Sequence, residues 1–221
     1  MGAIIVAAGL GQRMGGVDKI FAPLLGRPLV AWAVDAFETC PHVHQIVLVV
    51  RERNLKQGRR LVEERGWGKV VQVCPGGRRR QDSVARGLEA LSSCQLVAIH
   101  DGARPLITGD VIRRGIWAAR RYGAAVAAVP VTDTIKVVSR GLVVDTPERD
   151  RLWAVQTPQV FQFDIIDDAY RRVKDEVTDD ASLVERLGHR VRVFMGSYEN
   201  IKVTTPRDLA LAEAILGGRG N

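Results

Sequence analysis

The chain has 221 residues, 46% of them hydrophobic and 26% charged, with a formal net charge of +7. That length allows one large or two small domains, and the composition is that of an ordinary globular protein. No apolar run approaches the ~20 residues of a membrane-spanning helix, and three scattered cysteines (Cys40, Cys74 and Cys94) argue against a disulfide framework or a zinc site.

Taken in chain order, apolar runs of strand length alternate with helical patterns. Ala3–Ala8 reads as a strand, Leu29–Cys40 as a helix, Ile46–Val50 as a strand and Asn54–Arg65 as a helix. Val70–Val73, Leu96–His100 and Ala124–Pro130 continue the strands, and Asp82–Leu91 and Val111–Tyr122 the helices. Such alternation predicts an α/β fold: a Rossmann-like, mostly parallel sheet with helices on both faces. In such sheets ligands sit beyond the carboxyl ends of the strands. The unusual residues cluster there: Gly9–Lys19 after the first strand, Gly76–Ser83 after the third and Asp101–Pro105 after the fourth.

The alternation breaks after Pro130. Thr134–Asp145, "TIKVVSRGLVVD", reads as a β-hairpin turning at Ser139-Arg140-Gly141. An isolated hairpin is marginal in water, so this one packs either on its own domain or, as a projecting arm, on a second subunit. Near the end, Thr205, Pro206 and Asp208 are the cap, first-turn proline and N-terminal acid of a last helix. No repeat or linker is visible, which predicts one domain, 1–221, with an inserted arm at about 133–152. The chain enters its first strand without a basic leader; with its unpaired cysteines, that sets the expectation of a cytoplasmic protein.

The first loop, Gly9-Leu10-Gly11-Gln12-Arg13-Met14-Gly15-Gly16, matches neither familiar phosphate motif. A dinucleotide fingerprint needs glycine where Met14 stands, and the G-x-x-x-x-G-K-[ST] pattern is absent. Glycines alone often serve only to turn the chain. Arg13 and Lys19 add two cations to a loop of backbone donors, suited to a phosphoryl group under attack. The loop carries no serine, cysteine or histidine as a nucleophile. The pattern suits nucleotidyl transfer between two bound substrates, where positioning and charge do the work.

Seven separated motifs then stand in order: Ala7-Ala8-Gly9-Leu10-Gly11-Gln12-Arg13-Met14; Gly76-Gly77 through Arg80 to Asp82-Ser83-Val84; His100-Asp101-Gly102-Ala103-Arg104-Pro105; Pro130-Val131-Thr132-Asp133-Thr134-Ile135-Lys136; Gln156-Thr157-Pro158-Gln159; Thr178-Asp179-Asp180-Ala181-Ser182; and Asn200-Ile201-Lys202-Val203-Thr204. Over nearly its whole length the chain resembles the 2-C-methyl-D-erythritol 4-phosphate cytidylyltransferases of the non-mevalonate isoprenoid pathway. The resemblance implies transfer of the cytidylyl group of CTP to methylerythritol phosphate, with Mg²⁺ held mainly by the triphosphate. It implies catalytic roles for Arg13, Lys19 and Lys202, and contacts to CTP from Ala7, Ala8, Gly9, Gly11, Gly77 and Ser83. The acceptor would meet Asp101, Arg104, Thr134, Arg149, Thr157 and Lys202. A homodimer follows too, its arm crossing to the neighbour's site with Thr134 and Arg149. The chain departs from the family where many members read Pro-Lys-Gln, for it has Asp18-Lys19-Ile20. Some relatives are fused to a second enzyme of the pathway; a chain ending soon after Leu216 reads as the single-activity form.

Other readings compete. A sister enzyme acting on ribitol 5-phosphate would share the nucleotide half. Arg78-Arg79-Arg80 is what nucleic-acid binding would claim, but 5% aromatic residues leave little for base stacking, so no nucleic-acid partner is expected. A scaffold that lost the chemistry would not need Arg13, Lys19 and Lys202. His100 reads as a core histidine holding its loop, and Thr178-Asp179-Asp180 as a helix start rather than a metal site.

Overall fold

In a computed structural model, residues 1–9, 18–173 and 175–219 are described. The predicted alternation is present. Strand β1 (Gly2–Ala7) is followed by the two-residue strands β2 (Pro23–Leu24) and β3 (Arg27–Pro28), and then by helix α1 (Leu29–Glu38). Next come β4 (Gln45–Val50), α2 (Leu55–Arg65), β5 (Val70–Pro75), α3 (Arg80–Ala90), β6 (Leu96–Asp101), α4 (Gly109–Tyr122) and β7 (Ala124–Pro130). The arm strands are β8 (Val137–Ser139) and β9 (Leu142–Asp145). The chain closes with β10 (Trp153–Gln162), α5 (Phe163–Arg172), α6 (Asp180–Arg186), β11 (Arg192–Met195) and α7 (Pro206–Arg219).

Seven strands form the main sheet in the order β11-β7-β10-β6-β1-β4-β5. β1 pairs in parallel with β4 and β6, β4 with β5, and β7 with β11, while β10 runs antiparallel to both of its neighbours. The sheet is therefore parallel except at β10. Side chains alternate between faces with the two-residue period of a strand. Ala3, Ile5 and Ala7 of β1 join Ile46, Leu48 and Val50 of β4 in one core, under apolar residues of α1, α2 and α4. Ile4 joins Val47 and Val49 in the other, under Val84 and Leu88 of α3 and residues of α5 and α6. Burial on both faces is why these strands read as near-continuous apolar runs.

Helix α4 shows how locally these elements are specified. Thr108 caps it by accepting from the Val111 N–H at 3.5 Å, and Val111, Ile112, Ile116 and Ala119 repeat at helical spacing on its buried side. At α7 the predicted cap is present: the Thr205 N–H donates to Asp208 at 2.8 Å, and Asp208 N–H returns to Thr205 Oγ1 at 3.4 Å. The predicted hairpin forms a two-stranded sheet of its own. Ser139 pairs with Leu142, so Arg140-Gly141 is a two-residue turn, and both residues have positive φ (50° and 82°), as such hairpin turns require.

Candidate active site

The strand ends set out the site. β1 runs on into Ala8 and Gly9, and β5 into Gly76 and Gly77. A Cβ on Gly76 would stand 2.2 Å from the Ala8 Cβ, and one on Gly77 2.2 Å from the Asp82 Cβ, so only glycine lets these loops approach. Ser83 is 3% exposed. Its Oγ accepts from the Gly77 N–H at 3.1 Å and donates to the Arg79 carbonyl at 3.1 Å. Ala8, Gly9, Gly77 and Ser83 thus line one cavity of about 330 Å³, with the Ser83 hydroxyl fixing the loop.

A second cavity, of about 510 Å³, opens beside it over β6 and β10. β10 runs against its neighbours, so its beginning lies at their carboxyl edge. A register shift between Val155 and Gln159 turns Gln156 and Thr157 into that edge. At its centre is Asp101, 7% exposed. Its carboxylate lies 2.8 Å from Lys202 Nζ, 3.3 Å from Arg80 Nε and 3.8 Å from Arg104 Nε. Burial alone would raise its pKa, but Arg80, Lys202 and Arg104 outweigh it and hold the carboxyl well below the usual carboxylate range. Arg80 also reaches the buried Asp180 at 2.8 Å, and Tyr170 donates its hydroxyl to Asp180 at 2.6 Å.

Lys19, 8% exposed, sits on the same edge. Burial lowers its pKa, and the charge of Lys202 lowers it further, more than Asp101 raises it. The two ammonium groups repel each other across a carboxylate already shared by two guanidiniums. Lys19 lines neither cavity; Arg80, Arg104 and Lys202 do, and all three turn to the Asp101 carboxylate, while Asp179 and Glu185 stand elsewhere on the same lining. Three cations turned to one carboxylate suit an anionic ligand.

His100 holds the cluster in place. Its Nε2 stands 3.1 Å from the Arg104 carbonyl, which can only accept, so Nε2 carries the proton and Nδ1 accepts from Thr157 Oγ1 at 3.0 Å. Thr157 Oγ1 in turn accepts from the Asp101 N–H at 3.0 Å. Burial pushes the His100 pKa down to about 4. The unfolded chain therefore takes up a proton between pH 6.5 and 4 that the folded chain refuses, and stability falls as pH falls through that window. The full shift corresponds to about 3 kcal/mol. His100→Gln should flatten that part of a urea-melt pH series; an unchanged slope contradicts the neutral, locked ring.

Two further contacts tie the Lys202 loop down. Arg104 Nη1 donates to the Asn200 carbonyl at 2.7 Å, and Asn200 Nδ2 to the Thr157 carbonyl at 2.8 Å. Of the residues predicted from the sequence, Asp101, Arg104, Thr157 and Lys202 converge on one cavity, and Ala8, Gly9, Gly77 and Ser83 on its neighbour. Ala7 is buried as the last residue of β1. Thr134 and Arg149 are exposed on the arm and do not line either cavity; Arg149 donates to the Thr132 carbonyl at 3.3 Å. Gly11 and Arg13 lie outside the described residues. Asp179 caps α6, accepting from the Ser182 N–H at 3.1 Å, as the helix-start reading expects. Sequence reasoning gave no role to Arg80, to Asp180, or to Gln159, whose Nε2 donates to Asp179 at 2.8 Å and whose Oε1 accepts from the Ala181 N–H at 2.9 Å. Arg80 was one of three consecutive arginines, and its partners come from distant elements.

Fold and site together define the class: a Rossmann-like α/β domain with a pocket at the carboxyl edge of its sheet, where three cations meet one carboxylate. The family model described as IspD, 2-C-methyl-D-erythritol 4-phosphate cytidylyltransferase, matches residues 1–218. The chain belongs to that family. It is 54% identical over 217 residues to the 2-C-methyl-D-erythritol 4-phosphate cytidylyltransferase of Dehalococcoides mccartyi, covering 98% of this chain and 96% of the relative. Among solved structures, it is similar to the 4-diphosphocytidyl-2C-methyl-D-erythritol synthase of Anaerococcus prevotii, with a TM-score of 0.88, 30% identity and coverage of 98% and 97%. It is likewise similar to the cytidylyltransferase of Thermus thermophilus, with a TM-score of 0.81, 34% identity and coverage of 97% and 98%.

Proposed function

We propose that the chain transfers the cytidylyl group of CTP to 2-C-methyl-D-erythritol 4-phosphate, giving 4-diphosphocytidyl-2-C-methyl-D-erythritol and pyrophosphate. The observation that carries this reading is the convergence of Arg80, Arg104 and Lys202 on Asp101 at the carboxyl edge of the family's fold. In the reaction an oxygen of the acceptor phosphate attacks the α-phosphorus of CTP. One P–O bond forms, the bond to the β-phosphate oxygen breaks, and pyrophosphate leaves. A phosphate monoester is already largely dianionic at neutral pH, since its second pKa is near 6. The attack therefore needs no general base, which suits a pocket whose histidine is neutral and occupied.

Lys19 and Lys202 hold the two anions together against their mutual repulsion and face the charge that builds at the α-phosphate; Arg13 joins them from the first loop. Ala7, Ala8, Gly9, Gly11 and Gly77 offer backbone groups to the nucleoside, and Ser83 keeps Gly77 in register for it. Asp101, Arg104 and Thr157 receive the acceptor. Arg104 Nε is buried without a hydrogen-bond partner among the described residues, 3.8 Å from Asp101.

Magnesium fits this donor set as an ion carried by the nucleotide. Asp101 would supply at most one protein oxygen, and its three cationic neighbours disfavour a site built on protein carboxylates. When bound, the ion offsets charge on the triphosphate. The working form is a cytoplasmic homodimer in which the arm, with Thr134 and Arg149, serves the neighbouring site; free Cys40, Cys74 and Cys94 suit a reducing compartment. Among the described residues no helix is long and apolar enough to cross a membrane.

An acceptor panel tests the substrate. With Mg²⁺ and CTP, pyrophosphate release is expected with methylerythritol phosphate and at background with ribitol phosphate or no acceptor. Release with ribitol phosphate alone would overturn the assignment.

A further inference from the structure

Asp18 is held by Arg51, the residue directly after β4. Arg51 reaches both described flanks of the segment 10–17. Its Nε donates to the Gly9 carbonyl at 3.0 Å, and its Nη2 makes a shorter contact with the same oxygen. Its Nη1 lies 3.3 Å from Asp18 Oδ2, an oxygen that also accepts from Asn54 Nδ2 at 2.9 Å and Arg53 Nη2 at 3.2 Å. The Asp18 side chain is 7% exposed. Its backbone carbonyl accepts from the Phe21 N–H at 2.9 Å, opening the short turn Lys19–Phe21 that buries Lys19.

We propose that Arg51 and Asp18 form a latch that ties Gly9 to the start of the Lys19 turn, positions Lys19, and so sets the affinity for the triphosphate. One planar guanidinium spans Gly9, just beyond β1, and the start of the Lys19 turn. Lysine has no such fork and cannot serve both acceptors in one geometry. Neither residue touches the reacting atoms; both act through Gly9 and Lys19. The inference rests on the CTP reading above.

The test compares Arg51→Met, Arg51→Lys and Asp18→Asn in the full chain by steady-state kinetics and by hydrogen exchange of the peptide 8–21. Arg51→Met should raise the KM for CTP about tenfold with the KM for methylerythritol phosphate little changed, and should speed exchange in that peptide. Arg51→Lys should rescue neither. Asp18→Asn should act in the same direction, and combined with Arg51→Met it should add little, as expected for one coupled unit. Unchanged exchange in 8–21, or an equal rise in both KM values, overturns the latch. If Arg51→Met does not fold, Arg51→Lys carries the same comparison. Wild-type protein that turns over no CTP would count against the activity, while the exchange arm would still decide whether Arg51 fixes the segment.

Discussion

Lys202→Ala lowers kcat roughly a hundred- to a thousand-fold, the cost of removing one preorganised charge from a developing oxyanion, and moves the KM for CTP only a few-fold. Lys202 is the most exposed of the cations paired to Asp101: its Nζ lies 2.8 Å from the carboxylate, yet its side chain is 44% exposed. Removing it leaves Asp101 with Arg80 and Arg104, so the buried carboxylate is not orphaned and the fold should survive. What is lost is charge at the point where two phosphates must approach, and that charge matters most when the new bond is half formed. Stopped-flow and steady-state kinetics on folded variant protein give the split. A loss confined to KM would make Lys202 a ground-state anchor and move the burden of catalysis to Arg13 and Lys19.

Replacing Val137–Val144 by a short turn yields monomers whose kcat/KM falls by about a hundredfold or more, the scale expected when positioning groups are withdrawn. Val138, Leu142, Val143 and Val144 are between 58% and 72% exposed, on a hairpin with strands of only three and four residues. So short and apolar a ribbon does not hold its shape in water unaided. A second copy of the chain is the partner the account predicts, with Thr134 and Arg149 reaching its pocket. Sedimentation measures the assembly and the kinetic assay the site. A monomer with full activity contradicts the shared site.

Most of the sheet was legible because its strands are buried on both faces: Ala3–Ala8, Ile46–Val50 and Ala124–Pro130 leave no polar gap to misread. β10 was not legible. Gln156, Thr157, Pro158 and Gln159 interrupt its apolar run, and a proline within such a run argues against a strand. Those polar residues are there because β10 enters the sheet at the carboxyl edge, where Gln156 holds the Ser197 carbonyl at 2.8 Å and Thr157 the Asp101 N–H. The features that hid the strand are the ones that build the site. Asp101 and Arg104 stood out by their place after a strand, whereas the Arg80–Asp180 pair joins α3 to α6 and has no local signature. Asp18 was visible as an oddity, but its use depends on Arg51 from the end of β4.

The fate of labelled phosphate tests the central claim most directly. CTP labelled at the α-phosphate is incubated with the protein, Mg²⁺ and methylerythritol phosphate, and in parallel without acceptor. The account predicts that label enters the diphosphocytidyl product only when acceptor is present, matched one for one by pyrophosphate. Label appearing as CMP, with or without acceptor, would show a hydrolase and contradict it.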